Sequence, residues 1–80
     1  MSSENKFLHT TDLGAAAALV TLGYLVLEIN KDNPRKAEFI FADDGEITES
    51  LNAYWSTGLT VSARAYFDNL KMLKSRLYEG

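Results

Sequence analysis

The sequence predicts a small α+β domain: an antiparallel hairpin packed against three helices in the order (β)-α-β-β-α-α. Three observations predict it. Residues 59–78 repeat apolar side chains at helical spacing, and residues 13–22 are apolar almost throughout. Residues 24–30 and 35–42 alternate apolar and polar side chains, the period of a half-buried strand.

Eighty residues, 46% apolar and 24% charged, are enough for one globular domain and not for two. It is expected over residues 6–80, with residues 1–5 as a flexible N-terminus. A chain this short buries only about 60% of its unfolded surface, so its stability is modest. With no cysteine it has neither a disulfide nor a thiolate metal site to staple it. Pairing with a second copy is therefore attractive on energetic grounds.

Lys6-Phe7-Leu8-His9 reads as a short strand, so the sheet has three strands if it joins and two if it does not. Thr10 or Thr11 is expected to cap the first helix through its hydroxyl. Asp12 then falls in the first turn, against the positive end of the helix dipole. The body, Leu13 to Leu22, contains Ala15-Ala16-Ala17-Ala18 and is apolar on every side, which places it at the centre of the fold or between two subunits. Gly23 suits the left-handed position past its end, with Tyr24 folding back on Leu19. Gly14 is out of place, since glycine in a helix costs up to about 1 kcal/mol against alanine. Close packing on the sheet or on another subunit would account for it.

Leu25, Leu27 and Ile29 share one face of the second strand; Ala37, Phe39 and Phe41 share one face of the third. Opposed residues of an antiparallel pair lie on the same face, so these two sets must meet. Setting Leu27 opposite Phe39 leaves a loop of about five residues around Asn30-Lys31-Asp32-Asn33-Pro34. Asp43 with Glu46 resembles a capping pair ahead of a second helix carrying Ile47, Leu51, Tyr54 and Trp55 and ending near Ser56-Thr57-Gly58. Thr60 or Ser62 caps the third, whose core stripe is Ala63, Tyr66, Phe67, Leu70, Leu73 and Leu77.

No constellation for catalysis stands out. His9 is the only histidine and has no nucleophile-like motif beside it, so it reads as an ordinary surface or strand-edge residue. Asp43, Asp44 and Glu46 lack the alternating spacing of a calcium loop and are explained by helix capping. The glycines are scattered, with no phosphate-cradling loop. The chain is thus expected to be no enzyme, with no cofactor and no metal.

Arg64, Asp68, Lys71 and Ser75 line the solvent side of the third helix, with Arg64 and Asp68 at the i,i+4 spacing of an ion pair. Lys74 lies at the edge of the apolar stripe, its ammonium lifted toward Glu46 or Glu49. Arg64, Lys71, Lys74 and Arg76 could together touch a phosphate backbone, although a net charge of −3 weighs against a nucleic-acid binder. Tyr54, Trp55, Tyr66 and Phe67 are expected to pack against one another in the core, and failing that to form an exposed aromatic ridge. Tyr54 and Trp55 join the four basic residues as candidate interaction residues.

Several short motifs coincide: Thr11-Asp12-Leu13, an alanine-rich helix ending in glycine, a hairpin carrying Phe39-x-Phe41, and Tyr54-Trp55. Ala63-Arg64-x-Tyr66 then runs into Leu70-x-x-Leu73-Lys74. Together, over residues 7–78, they resemble a family of small bacterial, archaeal and phage domains of unknown function. The resemblance implies a prokaryotic or phage source and no particular activity. Asp12, Ala63, Arg64, Tyr66 and Lys74 are the positions that carry it.

The function expected is a small non-enzymatic protein-interaction module, a homodimer by preference, with regulation or inhibition of a host protein as one form of it. A nucleic-acid-binding accessory protein using the basic face of the last helix is the alternative. The N-terminus lacks the apolar core of a secretory signal, and the longest apolar run is too short to span a bilayer. A cytoplasmic location is expected, with no membrane partner.

Overall fold

The computed structural model describes residues 6–33, 35–56 and 58–78. Its elements are β1 (Phe7–Thr10), α1 (Leu13–Thr21), β2 (Val26–Asn30), β3 (Glu38–Ala42), α2 (Ile47–Trp55) and α3 (Ala63–Tyr78). The fold is α+β in the expected order, and the first strand does join the sheet. Strand order is β1-β3-β2, antiparallel throughout. Residues 1–5, expected to be flexible, lie outside the described residues.

The centre of the fold is α1. Ala15, Ala16, Ala17, Ala18 and Leu19 are all at most 1% exposed. Five consecutive helical residues sweep more than a full turn, so this helix is covered on every side by its own chain. The core joins it to Phe39 and Phe41 of β3, Ile47 of α2 and Leu73 of α3.

The cap of α1 is neither threonine. Asp12 Oδ1 accepts from the Ala15 amide at 3.0 Å, while Thr10 Oγ1 accepts from the Asp12 amide one step earlier. The carboxylate has the longer reach and sits at the N-cap itself. The far end closes as foreseen: Gly23 has φ +109°, its amide donates to Val20 O, and the Tyr24 amide donates to Leu19 O.

Capping of α2 falls one residue later than the Asp43–Glu46 pair. Asp44 Oδ1 accepts from the Glu46 and Ile47 amides, and the Glu46 side chain makes no capping bond. Asp43 Oδ1 instead takes the Gly45 amide, and Gly45, at φ +89°, makes the tight turn. For α3 the cap is Ser62, whose Oγ accepts from the Ala65 amide.

The hairpin differs in register. Ile29, and not Leu27, lies opposite Phe39, and the loop is two residues longer than expected because β3 begins only at Glu38. Between Val26↔Phe41 and Glu28↔Ile40, β2 carries one residue more than its partner. That extra residue, Leu27, is a bulge. It reverses the alternation, so Val26 turns inward while Leu27 and Leu25 are 52% and 77% exposed. The expected shared face of Leu25, Leu27 and Ile29 does not exist.

Candidate functional site

Three surfaces follow from these elements. The first is the outer face of the sheet. Pairing sets Leu8 against Phe41 and Thr10 against Phe39, so Leu8 and Thr10 face the helices. Alternation then turns Phe7, His9 and Ile40 the other way. With Leu27 and Glu28 they line a shallow hollow of about 220 Å³. Phe7 is half exposed, and Leu27 is there because of the bulge. His9 is an exposed strand-edge residue, as expected, with Nδ1 at 3.3 Å from Glu38 Oε1. That contact is the one pairing of a basic with an acidic side chain among the described residues, an ion pair only when the imidazole is protonated.

The second is α3. Arg64, Asp68, Lys71, Lys74 and Arg76 are all exposed. At 100° per residue Arg64, Lys71 and Lys74 fall within one quadrant, whereas Arg76 lies well round the helix from them. Phe67 belongs to this row and not to the core. It is 56% exposed, and the Lys71 ammonium stands 5.1 Å from its ring centroid. Ala63 is exposed too, so the buried stripe reduces to Leu73 flanked by Tyr66, Leu70 and Leu77. The expected Arg64–Asp68 pair, and one from Lys74 to Glu46 or Glu49, do not form.

The third is internal and joins residues far apart in the chain. Tyr66 donates through its hydroxyl to Gly14 O at 3.3 Å. A Cβ on Gly14 would lie 2.5 Å from the Tyr54 hydroxyl oxygen and 3.1 Å from that of Tyr66. Gly14 is therefore required by α2 and α3 closing on the start of α1, and not by the sheet. Burial pushes the Tyr54 pKa above its ordinary value, and the Asp12 carboxylate and the Tyr66 hydroxyl push the same way. Tyr24 is also raised, by loss of water first, with Asp44 and Glu46 adding and a hydrogen bond to Ser50 opposing.

The aromatic quartet thus divides. Tyr54 and Tyr66 meet at Gly14, while Trp55 and Phe67 point outward. Trp55, 58% exposed, meets Tyr54 in a T-shaped contact, with ring centroids 5.2 Å apart at 76°. Of the positions that carry the family resemblance, Asp12 and Tyr66 come together; Ala63, Arg64 and Lys74 lie on the outside of α3. The outer sheet face escaped the sequence because only a bulge places Leu27 there. Phe7 in alternation with Leu8 was its one visible signal.

Among the described residues no three potential metal ligands gather. No helix among them is long and apolar enough to cross a membrane. A family model for a domain of unknown function (DUF5659) matches residues 5–79. No curated protein and no solved structure matches the chain.

Proposed function

The chain belongs to the DUF5659 family of domains of unknown function, and from that premise we propose a non-enzymatic interaction module that pairs with a second copy of itself. The observation that carries this is the outer face of the sheet, where Phe7, Leu27 and Ile40 gather with no helix packed over them. Exposed apolar side chains that cluster, and are rimmed by polar ones, mark contact sites.

A second copy fits this face through its polar rim. His9 lies on β1, at one margin of the sheet, and Glu28 on β2, at the other. A two-fold axis parallel to the strands sets β1 of one copy over β2 of its partner, so the contact between His9 and Glu28 is made twice, once by each copy. In the prokaryotic or phage setting that the family resemblance implies, such a pair would keep its helices free to engage a host protein.

Sedimentation equilibrium at micromolar concentration tests the proposal. The wild type should show the mass of two subunits, and Leu27→Asp, a change at an exposed position, the mass of one. A folded wild type that stays monomeric would overturn it. So would a dimer that neither Leu27→Asp nor Ile40→Asp disturbs, because its contact would then lie elsewhere.

A further inference from the structure

A second, unrelated feature lies at the end of the sheet where the hairpin turns. The loop between β2 and β3 carries Lys31, Arg35 and Lys36 within six residues, in a chain whose net charge is −3. The fold brings this loop to the last turn of α3, where Lys31 Nζ donates to Arg76 O at 3.0 Å. Between the two lies a hollow of about 410 Å³, lined by Lys31, Asn33, Arg35, Ala37, Leu77 and Tyr78. None of these residues belongs to the outer sheet face.

Each lining group has a distinct capacity. Arg35 makes no salt bridge to a described residue, so its planar fork is free to take two oxygens of a phosphate. Lys31 spends one of its three hydrogens on the Arg76 carbonyl, which fixes the ammonium beside the hollow and leaves two donors. Asn33 uses its side-chain oxygen on the Arg35 amide, leaving its NH₂ to donate. Tyr78 is 83% exposed and presents a ring face, with Ala37 and Leu77 as an apolar floor. Asp32 and Glu79 are the acidic residues nearest in sequence, and Asp32 lines a different hollow with Thr11 and Glu38.

A bare anion would need the cations alone. A hollow within the size range of organic ligand sites, with a ring and an apolar floor beside two cations, suits a phosphate joined to a flat ring. We infer that this hollow binds a nucleotide, either free or as one unit of a single strand. Arg35 and Lys31 hold the phosphate, Tyr78 stacks on the base, and Asn33 meets its polar edge. The site is separate from the α3 row of Arg64, Lys71 and Lys74.

Fluorescence anisotropy with the full chain tests this, using a labelled thymidine strand and adenosine triphosphate as competitor. Saturable binding is expected, weakened about tenfold or more by Arg35→Glu and about fivefold or more by Tyr78→Ala. Both positions are exposed, and circular dichroism will report whether the variants fold. With one phosphate neutralised on a single strand, affinity should fall about threefold between 50 and 200 mM salt. Displacement by the triphosphate identifies a free nucleotide as a ligand; strand binding without displacement identifies the strand. No binding of either probe at low salt would overturn the inference. So would binding lost on Lys71→Glu but kept in Arg35→Glu, or equal competition by polyglutamate, which carries charge without a ring.

Discussion

Gly14 shows how a single residue can be fixed from outside its own element. In an isolated helix alanine would be better by up to about 1 kcal/mol. Here the added methyl meets the Tyr54 hydroxyl at 2.5 Å, so Gly14→Ala should destabilise the wild type. Removing that hydroxyl with Tyr54→Phe should lessen the cost of the same substitution, the Tyr66 hydroxyl at 3.1 Å remaining against the added methyl. A double-mutant cycle by urea unfolding reads the coupling directly; additive effects would refute it. Tyr54 also makes stability depend on pH. Folded, it holds its proton above the ordinary value of 10.0. Below pH 10 both states are protonated and stability is complete. As pH rises through the folded pKa the unfolded chain has already ionised, so stability is lost. Tyr54→Phe should flatten this alkaline decline in part, because Tyr24 is shifted in the same direction.

At the scale of elements, α3 separates side chains that its periodicity could not. Leu73 is fully buried and Phe67 is 56% exposed, although both fit the same apolar stripe. Leu73→Ala should cost about 3 kcal/mol, and Phe67→Ala about 0.5 kcal/mol or less, as chemical denaturation will show. The order of elements was legible because periods of 3.6 and 2 survive in the sequence wherever a face is buried. Where α1 stops and where α3 starts was legible too, from Gly23 and from Ser62. The face of β2 was not. Leu25, Leu27 and Ile29 alternate faultlessly, but one extra residue in the ladder inverts the pattern, and nothing in a single strand announces a bulge. Asp12 and the threonines before it are all good caps, and only the backbone path chooses between them. The basic hollow depends on a loop meeting a helix end more than forty residues away, which no local pattern encodes.

The whole molecule is small, and its central helix is its most buried part. Beyond the alanines of α1, the fully buried large side chains are Phe39, Phe41, Leu19, Ile47 and Leu73. A domain of this size gains from any partner that binds only the folded form. If the outer sheet face pairs, the melting midpoint should rise with protein concentration in the wild type and stay constant in Leu27→Asp. Equal midpoints across a wide concentration range would show that the monomer stands alone.

The surplus residue at Leu27 bears on how such a molecule avoids uncontrolled growth. β2 is an outermost strand, and a straight one would offer its unused amides and carbonyls as a template to any extended chain it met. Kinked at Leu27, it presents those groups out of phase, and a newcomer cannot zip along it. The same irregularity that frees a leucine for a finite partnership thus blunts the edge from which a fibre would start.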